Sequence, residues 1–167
     1  MDIQNPVLRR YEDNLNVCGL GVIILSAWDI LKIVMEILTE TREFVSELFE
    51  KYEELGRGAV TAGIVVGYAI VFVGLVLVFL VHLYIGRNAS RAAKRQPYKK
   101  GYYVWTIILL IFAVIGLFSY TRSFRDTENI DTTIVSLIVE LTNIYILGNV
   151  VVYTRKIRAF DRAQTQE

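Results

Sequence analysis

Residues 59–84 carry no Asp, Glu, Lys or Arg, and that run restricts what the chain can become more than any other feature. About 20 apolar residues in helical form cross a bilayer core of roughly 30 Å. A longer run must tilt or project beyond the core. Three further apolar runs, 17–37, 102–120 and 133–153, bring the expected spans to four. The third is bracketed by Tyr98, Tyr103 and Trp105 at one end and by Phe118 and Tyr120 at the other, as a membrane–water boundary favours. Hydrophobic side chains make up 54% of the 167 residues, and the mean hydropathy is +0.43. That is more apolar than a soluble domain of this size. The expected fold is all-α: an integral membrane four-helix bundle, one multi-pass domain over 1–167 in the cell membrane.

An extra element is written into the end of the first span. Asp29, Glu36, Glu43 and Glu50 recur every seven residues, and Glu40, Glu47 and Glu54 repeat the spacing four residues later. At about 100° per residue these carboxylates and Lys32 share a wedge of roughly 80°. Leu31, Val34, Ile37, Leu38, Val45, Leu48, Phe49, Tyr52 and Leu55 cover the opposite side. Gly56 and Gly58 supply a stop and a turn. An upright helix continuing from Ile37 to Leu55 would rise roughly 27 Å above the membrane, yet the next apolar run begins at Ala59. A bend is therefore expected near Leu38 or Thr39. Beyond it, an amphipathic outer helix over 40–55 lies on the bilayer surface or across the bundle, acids toward water.

The net charge of +1 hides strong sorting along the chain. The linker 86–101 contains Arg87, Arg91, Lys94, Arg95, Lys99 and Lys100 with no acid, and Pro97 breaks any helix through it. Together with Arg9, Arg10, Arg155, Lys156, Arg158 and Arg162 these make twelve of the 18 basic residues. An excess of basic residues marks the cytoplasmic side, so both termini and the basic loop are expected there. Residues 1–15 form a polar arm in which Pro6 and scattered charges argue against regular structure before Tyr11. The start lacks the basic leader and cleavage site of a signal peptide, and none is expected.

Ionisable groups inside a span cost about 3 kcal/mol each unless they find a partner. Lys32 and Asp29 lie at depths of roughly 8 and 12 Å and Glu140 near 10 Å, which makes an ion pair between Lys32 and Glu140 the expected arrangement. Asp29 would share the lysine, and Ser136 and Asn143, at i and i+7 around Glu140 at i+4, would supply hydrogen bonds. Such a cluster fixes helix register; its functional alternative is a proton or cation site. Gly63 and Gly67 form a GxxxG, extended seven residues on by Gly74. Faces of small residues let helix backbones approach, here within the monomer before a dimer. His82, near a span end, is read as an amphipathic anchor.

One cysteine, Cys18, and one histidine exclude an internal disulfide, a cysteine-pair metal or redox motif and a bis-histidine haem within one chain. The sequence holds no phosphate loop, nucleophile elbow or zinc-ligand pair, so neither an enzyme nor a cofactor or metal site is expected. Anionic lipid headgroups account for the basic loop without nucleic acid. Four-span layouts serve unrelated functions. The expected role is a non-enzymatic interaction or accessory subunit, partnered by the bilayer and by a second copy or another membrane protein. A small oligomeric channel or ion-coupled transporter is the alternative.

Overall fold

The computed structural model describes residues 6–52, 56–123 and 130–164, with every side chain among them except those of Glu36, Glu40, 119–123 and 130–133. The described residues contain no strand and form four helices: α1 (Pro6–Lys51), α2 (Arg57–Ala93), α3 (Tyr102–Ser123) and α4 (Ile130–Gln164).

Helix α1 begins earlier than the polar composition of its first residues suggests. Proline suits a first helical position, where its missing N–H is not needed and its φ is already helical. Leu8, Leu15 and Val22, spaced by seven, are buried, with Tyr11 and Cys18 partly buried between them. This seven-residue seam holds the arm in helical form by packing. At the other end, no break occurs at Leu38 or Thr39, and 40–51 continues α1 instead of forming a separate helix. Thr39 Oγ1 donates to Met35 O at 3.0 Å, and Thr41 Oγ1 donates to Ile37 O. Both hydroxyls are thereby satisfied without interrupting the backbone ladder.

Helix α2 starts after Gly56, whose φ of +76° lies in the left-handed region that glycine tolerates. It extends past the expected span end at 84, so Arg87 and Arg91 sit on a helix and not in a loop. It ends at Ala93, two residues before Arg95, a non-glycine residue with φ +57°. The Gln96 N–H donates to Arg91 O at 2.9 Å and the Arg95 N–H to Ala92 O at 3.2 Å, the paired bonds of a Schellman cap. Pro97 follows and forbids continuation.

The chain divides into two compact units, Met1–Leu25 with Val81–Glu167, and Ser26–Leu80. In the first, Leu15, Val22, Ile85, Ala89, Tyr102, Leu147 and Val150 form the buried centre. The buried α4 positions Asn143, Leu147, Val150, Thr154 and Ile157 alternate four and three apart, the spacing of a helix-packing seam. Helices α1 and α2 touch backbone to backbone at Gly19 and Gly86: a Cβ on Gly19 would lie 2.9 Å from Gly86 O.

Three helical stretches among the described residues are long and apolar enough to cross a membrane: Pro6–Thr39, Arg57–Ala93 and Ile134–Gln164. Tyr102–Phe118 is a shorter apolar helix. The most apolar stretch of α2 has none of its residues buried. Ile70, Phe72, Phe112 and Phe118 are each about two-thirds exposed, at 68%, 67%, 65% and 68%. Exposed apolar surface on this scale suits hydrocarbon, not water.

Candidate functional site

Within the unit Ser26–Leu80, the apolar side of the acidic segment and the first turns of α2 enclose a groove. Phe44 and Leu48 of α1 and Tyr52 just past its end line one side, and Val60, Gly63, Ile64, Gly67 and Tyr68 of α2 the other. It encloses about 520 Å³. The Tyr68 hydroxyl donates to Thr41 Oγ1 at 2.9 Å, tying the two walls together.

A Cβ added at Gly63, Gly67 or Gly74 would meet nothing within 4 Å. The close approach expected of these three glycines is therefore absent among the described residues, and Gly19 and Gly86 make it instead. Along the same part of α1, Glu43, Glu47 and Glu50 are exposed. Glu54 and the side chains of Glu36 and Glu40 lie outside the described residues.

In the other unit, the basic stretch acquires carboxylate partners from distant sequence. Arg95 Nε pairs with Glu12 Oε1, and Arg95 Nη1 with Asp161 Oδ1 at 2.7 Å. One guanidinium thus clasps α1 and α4 to the end of α2. Burial alone lowers the Arg95 pKa, but the hydrogen bonds and charges of Glu12 and Asp161 outweigh that and raise it above its ordinary value. Arg87, Arg91, Lys94, Lys99 and Lys100 are exposed.

Beside this clasp is a cavity of about 130 Å³ lined by Arg95, Tyr98, Tyr102, Thr154, Arg158 and Asp161, with room for about four waters. Tyr102 Oη and Thr154 Oγ1 are hydrogen-bonded at 2.9 Å. The Arg158 guanidinium lies 4.9 Å from the Tyr103 ring centroid, and its Nη2 is buried without a hydrogen-bond partner.

The turn between α2 and α3 is fastened by Asn88, which is buried. Its Nδ2 donates to Tyr84 O at 2.7 Å and its Oδ1 accepts from the Lys99 N–H at 2.9 Å. Ser90 Oγ donates to Asn16 Oδ1 at 2.5 Å, joining α2 to α1. His82 is buried rather than exposed at a helix end.

The ionisable groups expected to cluster fall on both units: Asp29 and Lys32 on Ser26–Leu80, and Ser136, Glu140 and Asn143 on the other. Ser136, Glu140 and Asn143 follow one line along α4. Glu140 Oε1 lies 4.0 Å from where a Gly116 Cβ would stand, and Asn143 Oδ1 is buried with no hydrogen-bond partner. Sequence reasoning missed Glu12, Asp161, Asn88, Gly19 and Gly86. For the two glycines the available signal was the apolar seam running through them; for Glu12 and Asp161 there was none, because the pairing joins residues more than sixty positions apart.

No group of three or more metal-ligating side chains occurs among the described residues. The chain matches no protein-family model, and no curated protein or solved structure is detectably similar to it.

Proposed function

We propose that this chain is a multi-pass membrane protein, without enzymatic activity, that serves as an interaction or accessory subunit of a larger membrane assembly. The observation carrying this reading is the open glycine floor of the groove between α1 and α2. Small residues let a second helix approach closely enough for extensive van der Waals contact in lipid. Among the described residues nothing lies within 4 Å of a Cβ at Gly63 or Gly67. Exposed Glu43, Glu47 and Glu50 on the same part of α1 give a partner a charged edge by which to choose register.

The test is the native mass of tagged protein extracted gently from its own membranes, with every co-purifying chain identified. A stoichiometric foreign subunit supports the accessory reading. A discrete homo-oligomer free of other chains contradicts it.

That second outcome would favour a small channel or ion-coupled transporter. The buried Asn143 Oδ1 without a hydrogen-bond partner, one turn from Glu140, is the observation in its favour. Carboxylate and amide oxygens on one helix face are hard ligands for a proton or small cation. In that reading Glu140 is the titrating group, with Asp29 and Lys32 as further intramembrane charges, and Glu140→Gln abolishes flux into liposomes.

A further inference from the structure

A second cleft, within the unit formed by Met1–Leu25 and Val81–Glu167, has a different chemistry. Arg10, Tyr11 and Asn14 of α1 and Tyr153 and Lys156 of α4 line it, and it encloses about 530 Å³. Among the described residues no carboxylate lines it, and Glu12, the nearest acid to Tyr11 in sequence, is held by Arg95. The Lys156 ammonium sits 4.8 Å from the Tyr11 ring centroid, and that ring lies 6.0 Å from the Tyr153 ring. Cation–π attraction thus positions one of the two charges at the cleft. Arg10 and Lys156 are both exposed, so their charges remain available to a ligand.

The height of this cleft along the helices identifies the ligand. The apolar run of α1 starts at Val17, just past Asn14, and that of α4 ends about Tyr153, just before Lys156. These five side chains, which line the cleft together with Pro6 and Val7, therefore stand where hydrocarbon gives way to water, with two tyrosines at the level such rings prefer. Oxyanions at that level belong to phospholipids. We infer that the cleft formed by Arg10, Tyr11, Asn14, Tyr153 and Lys156 binds the phosphate of an anionic phospholipid headgroup, with the two cations on the phosphate and the tyrosine and asparagine groups as hydrogen-bond donors. The inference rests on the membrane-spanning reading of α1 and α4. No residue of the basic stretch 86–101 lines the site.

The test uses the full chain in nanodiscs of phosphatidylcholine with added phosphatidylglycerol, and native mass spectrometry counts the anionic lipid retained on release. Wild type retains phosphatidylglycerol over phosphatidylcholine, and the double variant Arg10→Gln, Lys156→Gln loses roughly thirtyfold in apparent affinity, two surface charges' worth. The charge-matched control Arg42→Gln, Arg57→Gln retains lipid as wild type does. Circular dichroism confirms that each variant is folded, and Arg10→Gln alone, an exposed single change, gives the same direction at smaller size. Equal retention by wild type and double variant overturns the inference. So does displacement of the lipid by millimolar inorganic phosphate, which would make the cleft a site for a free anion. Release of wild type from membranes by alkaline carbonate would instead overturn the membrane reading itself, and is scored separately.

Discussion

The carbonyl oxygen of Gly19 lies 2.5 Å from where a Cβ on Gly86 would stand, and Ile23 Cγ1 is equally close. Backbone on one side cannot move aside as a flexible side chain does. Gly86→Ala should therefore force α1 and α2 apart and cost about 1–3 kcal/mol, the usual penalty of overpacking. Thermal unfolding in detergent should show a clear fall in Tm. Gly74→Ala, with open space beside it, should leave Tm unchanged or slightly raised through its better helix propensity.

Arg95 occupies a left-handed position that glycine fills at less cost, and its guanidinium joins Glu12 and Asp161. The two roles separate by substitution. Arg95→Ala loses both ion pairs and keeps the strained backbone; Arg95→Gly loses the pairs but relieves about 1 kcal/mol of strain. Denaturation should rank wild type above Arg95→Gly, and Arg95→Gly above Arg95→Ala. With Arg95 44% exposed, raised salt should narrow the gap between wild type and Arg95→Gly. The raised pKa of Arg95 sets the sign of any pH effect: its contribution is complete below the unfolded guanidinium value and is lost only as pH rises through the folded one. Varying pH from 6 to 9 should leave the ranking intact.

Asn88 fastens the turn before α3 through Tyr84 O and the Lys99 N–H. Asn88→Ala leaves the buried carbonyl and amide without their partner, at about 1–3 kcal/mol. Trypsin should then cut at Lys99 and Lys100 several times faster, as followed by fragment mass. Asn88→Asp, which keeps the acceptor toward Lys99, should protect the turn better than alanine.

The long apolar runs made the helical class legible, because an uncharged stretch such as 59–84 has only one way to satisfy its backbone in lipid. The turn at Gly56 was readable for the same local reason, its positive φ being glycine's to adopt. What escaped was set by contacts. Residues 6–15 look polar by composition, yet Leu8, Tyr11, Leu15, Cys18 and Val22 carry a seven-residue seam that packing converts into helix. The GxxxG of Gly63 and Gly67 pointed to close packing, but a spacing of small residues cannot say which helix approaches; Gly19 and Gly86 make that crossing. Arg95 was indistinguishable from its basic neighbours until Glu12 and Asp161 met it.

Opening of the polar line on α4 offers a separate check. Asn143→Leu removes a buried oxygen that has no hydrogen-bond partner, so in a purely structural bundle it should leave stability unchanged or raise it, by up to about 1–3 kcal/mol of relieved desolvation, with Tm moving the same way. A fall in Tm with loss of cation-dependent stabilisation would mean that the oxygen serves an ion.

The most direct measurement is the native mass of gently extracted protein bearing Gly67→Leu, beside wild type. Open space around Gly67 predicts an intact fold, seen as unchanged helical circular dichroism, while the leucine fills the groove and the complex falls to the mass of the lone chain in its micelle. A Gly67→Leu complex of wild-type mass and composition would contradict the account, because the groove would then be no meeting place for a partner.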